Sequence, residues 1–213
     1  PKTYLPNYGE FYEKRWFASA HDIQECSISY AGTKISLSGE PQLFRTSDGV
    51  LFGIEICEDL WSPVPPSNTL AFAGADIIFN LSASDELIGK HDYLKTLIAQ
   101  QSARIISGYV YSGCGFGEST QDVVYGGNAL IYENGCLLEE GARFQIEPQL
   151  VISQIDVEKL RVERRRNTSF IAAAKSVKAR ILECEKSSGH EFKMLRNVNP
   201  MPFIPSNDDM KKS

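Results

Sequence analysis

The stretch VLFGIEICEDLW, residues 50–61, is an apolar run that stops at a cysteine followed at once by two acids. Continuous apolar residues with β-branching read as a buried central strand. A turn follows, and then Pro65 and Pro66 open a helix, a position that proline tolerates because its missing N–H has no helical partner. A thiol at the carboxyl end of such a strand stands where open α/β sheets place their chemistry. Free cysteines are usually small buried hydrophobes. Cys57 departs from that pattern because Glu58 and Asp59 follow it directly and because turn N–H groups can face the sulfur or a neighbouring oxyanion.

Outward from this run the chain alternates strand and helix, which predicts α/β layers. Residues 1–17 read as a strand end and an aromatic-rich loop. The Ser47–Gly49 turn joins two strands of a hairpin. ADIIFNLSAS predicts a second buried strand, and ELIGKHDYLKTLIAQQSARIIS a long amphipathic helix. GYVYSG is a short strand. NALIYENGCLLEEG is a hairpin closed by Asn134-Gly135. LVISQID reads as a strand and VEKLRVERRR as a helix start. From Asn197 onward, prolines and then polar residues read as a linker.

The chain has 213 residues, 42% of them hydrophobic and 23% charged, with a formal net charge of −5. That is the profile of a globular protein and argues against nucleic acid as the main partner. The sequence lacks a run of about 18 apolar residues, so no membrane helix is expected. Cys26, Cys57, Cys114, Cys136 and Cys184 form no CxxC pair, so no structural metal site is expected, and reduced thiols in a cytoplasmic protein are the simplest reading. SGCGFGES at 112–119 lacks the third glycine of a dinucleotide fingerprint.

A working thiol needs help to become a thiolate. His21, His91 and His190 sit in polar contexts without a telling motif, so a Cys-His protease is poorly supported. Lys2 is an alternative helper, since an ammonium near the thiol favours the thiolate and steadies a tetrahedral oxyanion.

PKTYLPNYGEFYEKRWF, with GIEICEDLW placing Cys57 55 positions after Lys2, resembles the nitrilase superfamily, and within it the glutaminase domains of glutamine-dependent NAD synthetases. VPPS at 64–67, FNLSAS at 79–84, GK at 89–90, YVYSGCG at 109–115 and YGGNALIYENG at 125–135 match in order, and NPMPFIPSNDD resembles the junction toward a synthetase domain. The resemblance implies an α-β-β-α sandwich, incomplete here, with residues 1–192 as the C-terminal portion of the glutaminase domain and 193–213 as a linker. It implies a Glu-Lys-Cys triad in which Cys57 is the nucleophile and Lys2 the lysine. The triad glutamate lies upstream of the lysine in that family, and the chain begins in mid-motif at Pro1, so a fragment that is inactive alone is expected. By motif position Glu13 is a second glutamate near the site.

The implied substrate is glutamine. Glu58 meets its ammonium, Lys90 or Ser84 its carboxylate, and Tyr8 and Trp61 flank the pocket and channel entrance. Lys90 stands where many relatives carry arginine and lacks the bidentate fork. Ammonia passes to a synthetase domain that uses ATP and magnesium, no cofactor is implied for this part, and a homo-oligomer is expected. Two alternatives stand beside this reading: a separate carbon-nitrogen hydrolase acting on another amide, and a non-catalytic nitrilase-like interaction module.

Overall fold

The computed structural model describes residues 1–118, 123–186, 193–196, 200 and 201. Its centre is a seven-stranded mixed sheet. In chain order the strands are β3 (Gln42–Arg45), β4 (Leu51–Ile56), β5 (Ile77–Ser82), β6 (Gly108–Gly113), β7 (Ala129–Glu133), β8 (Cys136–Glu140) and β9 (Arg180–Glu183), and across the sheet the order is β8-β7-β6-β5-β4-β3-β9. β4, β5 and β6 run parallel, so their carboxyl ends meet on one rim. A separate hairpin of β1 (Cys26–Tyr30) and β2 (Thr33–Leu37) pairs only with itself among the described residues, and every side chain of β1 is exposed.

Local chemistry accounts for most of these elements. The β3–β4 turn closes through Gly49, whose N–H donates to the Thr46 carbonyl over 3.0 Å at φ +83°. Asn134 and Gly135 both adopt positive φ in the β7–β8 hairpin, the conformation that a two-residue type I′ turn requires. Helix α1 (Pro66–Phe72) starts on its proline, and α2 (Lys90–Arg104) starts after Gly89. Leu94, Ile98, Gln101 and Ser102 form the buried stripe of α2, at helical spacing. Asp156 caps α3 (Val157–Arg166) and Asn167 caps α4 (Thr168–Ala174), each accepting an N–H over 2.9 Å.

α1 and α2 pack on one face of the sheet, where Leu43, Leu60, Leu70, Ile78, Ile98 and Tyr109 make the core. Burying each of the aliphatic side chains contributes roughly 1.5–3 kcal/mol. Arg164 of α3 is buried beneath this layer. It donates to the carbonyls of Ala75 (2.7 Å), Ile106 (2.9 Å) and Ile105 (3.2 Å), serving acceptors just beyond the ends of α1 and α2. Desolvation pulls its guanidinium down to about 10, so it keeps its charge at neutral pH.

Three expectations need correction. VLFGIEIC is central in the sheet but not buried on both faces. Gly53 packs against Leu70 and Glu55 is buried, whereas Ile54 is 42% exposed, because the helices cover one face only. The other face carries Phe44 stacked on Phe52 and Phe52 edge-on to Phe79, and the side chain of Leu81 is 53% exposed. Residues 1–17 contain no strand; Pro1 and Pro6 lack donors and Gly9 turns the chain at φ +56°, so the segment ends instead in a 3-10 turn, Glu13–Arg15. LVISQID also forms no strand. The Gln154 side chain bonds the backbone of Lys193, Leu195 and Arg196, and the Asp156 N–H donates to the Glu133 carboxylate, in place of ladder bonds.

Among the described residues, no helix is long and apolar enough to cross a membrane. Most of the expected linker and His190 lie outside the described residues, whereas Arg196 pairs with Glu133.

Candidate active site

β4 ends at Ile56, and the chain turns abruptly into a 3-10 turn, Cys57–Leu60. Cys57 makes the corner at φ +47°, a left-handed conformation that costs a residue with a Cβ roughly 1–2 kcal/mol. Such strain persists only where the surroundings hold it. Here Asp59, 1% exposed, holds it from both sides. Its Oδ2 accepts the Ile56 N–H over 3.0 Å, and its Oδ1 accepts the N–H groups of Tyr4 (2.8 Å) and Thr3 (3.1 Å). Burial pushes the Asp59 carboxyl up despite these donors and the nearby Lys2 charge.

The segment tied down in this way begins with Lys2. The Lys2 ammonium donates to both oxygens of Glu13, at 2.6 and 2.7 Å, with its side chain only 12% exposed. Two residues expected from motif position to share the site are therefore in contact. The Cys57 thiol is buried and lies within electrostatic reach of Tyr8, Tyr111, Cys114 and Tyr125. Burial, ahead of the charges of Glu118 and Cys57, also pushes the Cys114 thiol up.

The other expected residues fall into two groups. Tyr8 donates its hydroxyl to Glu58 over 2.8 Å. Burial and the Glu58 carboxylate push the Tyr8 hydroxyl up to about 12, so it remains a donor across the neutral range. Lys90 lies 5.5 Å from the Trp61 ring centre, and Trp61 stacks on Tyr93. Lys90 also donates to Asp85 over 2.6 Å, so its charge is already partnered. Burial pushes the Asp85 carboxyl up, but the hydrogen bond and charge of Lys90 outweigh it and leave Asp85 below the usual carboxylate range. Ser84, Lys90, Tyr111 and Asn128 line one small cavity.

No family model matches the chain. A glutamine-dependent NAD(+) synthetase of Mycobacterium tuberculosis is 37% identical over 97% of this chain, and that of Mycobacterium leprae 36% over 97%. By sequence this chain matches one portion of the glutamine-dependent NAD(+) synthetases. It spans 31% of the length of those two NAD(+) synthetases and 31% of the one from Thermotoga maritima, which is 30% identical over 94% of the chain. A solved NAD(+) synthetase from Cytophaga hutchinsonii superposes with a TM-score of 0.56 at 27% identity, over 68% of this chain and 23% of that one. A carbon-nitrogen hydrolase from Helicobacter pylori superposes with a TM-score of 0.61 at 17% identity, over 80% of this chain and 56% of that one, and so shares the fold. The fold is that of the nitrilase superfamily, and the chain corresponds to the nitrilase-like portion of the NAD(+) synthetases.

Reasoning from sequence did not assign roles to Asp59 or Asp85. For Asp59 a signal was available: an acid two residues after Cys57 beside an apolar stretch, which is costly to bury unless backbone donors meet it. Asp85 offered no comparable signal, because it lies in a polar loop.

Proposed function

We propose that this chain is the glutaminase part of a glutamine-dependent NAD(+) synthetase. The observation that carries the reading is the strained corner at Cys57, held by the same carboxylate that binds the Lys2 segment. That geometry suits a nucleophile facing a lysine better than it suits a packing thiol.

In this reading the side-chain amide of glutamine enters beside Cys57. The thiol proton passes to a carboxylate base, which the resemblance places upstream of Lys2. The sulfur bonds to the amide carbon, and the charge that develops on oxygen is met by the Lys2 ammonium and by a backbone N–H after Cys57. The C–N bond breaks as nitrogen takes a proton, releasing ammonia and leaving a γ-glutamyl thioester. Water then adds with the help of the same base, the C–S bond breaks, and glutamate leaves with the thiol restored. Glu13 holds Lys2 in place throughout. Glu58 and Tyr8 take the substrate ammonium. The substrate carboxylate goes to Ser84 and Lys90, with Lys90 shared between that carboxylate and Asp85.

Ammonia is passed to a synthetase domain for amidation of nicotinic acid adenine dinucleotide. ATP and magnesium serve that domain, residues 193–213 lead toward it, and no cofactor is assigned here. The open apolar face at Phe44, Phe52 and Phe79 takes the second sheet of the sandwich. A cytoplasmic homo-oligomer is the expected setting.

The test is peptide mapping of the full-length protein after treatment with an electrophilic glutamine analogue. An adduct on Cys57 together with loss of glutamine hydrolysis is expected. Hydrolysis that persists with Cys57 unmodified overturns the assignment. Turnover of simple aliphatic amides in preference to glutamine overturns it in favour of a separate hydrolase.

A further inference from the structure

Asp59 touches neither a substrate position nor the thiol in any contact described above. Its carboxylate is nonetheless spent on three backbone N–H groups from two places far apart in sequence: Ile56, the last residue of β4, and Thr3 and Tyr4, next to Lys2. A buried carboxylate is expensive unless its lone pairs are met, and it is a strong acceptor once they are. The Ile56 bond closes the turn that keeps Cys57 at φ +47°. The Thr3 and Tyr4 bonds pin the backbone from which the Lys2 side chain departs. The same segment is held on its other side by Ser19, whose hydroxyl donates to the Thr3 carbonyl over 2.6 Å, and by the Ala20 N–H, which donates to the Lys2 carbonyl over 2.9 Å.

We propose that Asp59 is the positioning residue that makes Lys2 and Cys57 one rigid unit. This rests on the glutaminase reading for its substrate but not for its geometry. Without Asp59 the left-handed corner relaxes and the Lys2 segment is free to drift. Losses of this kind appear in kcat more than in KM, because a displacement of about 1 Å at the reacting groups costs on the order of 10²-fold in rate.

The experiment compares the full-length protein with Asp59→Asn, Lys2→Ala and the double variant, measuring glutamine kcat and KM, melting temperature, and iodoacetamide labelling of Cys57. Asparagine keeps the shape but replaces one acceptor oxygen by a donor, so one side of the clamp is lost. Asp59→Asn is expected to lower kcat about 100-fold with KM within about threefold, and to slow Cys57 labelling about tenfold. In the Lys2→Ala background Asp59→Asn is expected to cost less than about threefold more, since residues acting as a unit are not additive. A folded Asp59→Asn protein with kcat within about threefold of the original overturns the proposal, as does full additivity in the double variant. If Asp59→Asn does not fold, Thr3→Pro removes one donor and leaves Asp59 and the Ile56 bond intact; it carries the same expectation of lowered kcat that is not additive with Lys2→Ala. If the unsubstituted protein does not hydrolyse glutamine, the functional reading fails by itself, and the labelling comparison still decides the role of Asp59.

Discussion

The hydroxyl of Tyr8 donates to the carboxylate of Glu58 across 2.8 Å, one residue beyond Cys57. The bond joins two segments 50 residues apart. A hydrogen bond to a charged group contributes about 1.5–3 kcal/mol, and the Tyr8 ring is more than half exposed, so the lower end of that range applies. Tyr8→Phe is expected to raise the KM for glutamine about tenfold with kcat within about threefold. Steady-state kinetics checks this, and an unchanged KM removes Tyr8 from the binding site.

Lys2 and Glu13 form an ion pair that is largely enclosed, with side chains 12% and 26% exposed. Loss of one oxyanion donor costs roughly 10²–10³ in kcat, and Lys2→Ala is expected to fall in that range. Glu13→Gln keeps one acceptor for the ammonium and is expected to lose about tenfold. The order of severity, Lys2 before Glu13, is the point to check by single-turnover rates, and the reverse order contradicts an oxyanion role for Lys2.

Glu55 is buried two residues before Cys57. It accepts the Ser67 N–H over 2.9 Å and the Tyr109 hydroxyl, and Tyr109 in turn accepts from Asn80. Burial pushes the Glu55 carboxyl up from 4.5, more than these donors pull it down. A carboxyl whose folded value is raised binds its proton more tightly when folded. It therefore favours the folded state at and below the ordinary value, and that contribution is lost as pH rises through the raised one. Chemical denaturation of Glu55→Gln beside the unsubstituted protein is expected to show the latter losing ground steadily as pH rises above 4.5. A difference that does not change with pH contradicts this.

Arg164 supplies donors to the Ala75, Ile105 and Ile106 carbonyls. Arg164→Met fills similar space without donors. Each buried acceptor left unmet costs about 1–3 kcal/mol, so a loss of about 3 kcal/mol or more is expected in denaturant unfolding. A loss under about 1 kcal/mol means that water replaces the guanidinium.

The amino-acid sequence by itself determined the strand that ends on Cys57, the turns at Ser47–Gly49 and Asn134-Gly135, and the periodic helix α2. Each is written within a few adjacent residues as apolar period, proline placement or turn chemistry. The resemblance implied only that Lys2 and Glu13 both lie near the site; that they pair came from the tertiary structure. Tertiary structure alone decided that Asp59 reaches back to Thr3 and Tyr4, that β9 lies beside β3, and that LVISQID forms no strand. It also decided that β4 is covered on one face and open on the other. These outcomes depend on which distant donors and apolar surfaces packing brings together, and no local pattern encodes a hydrogen bond between residues more than 50 positions apart.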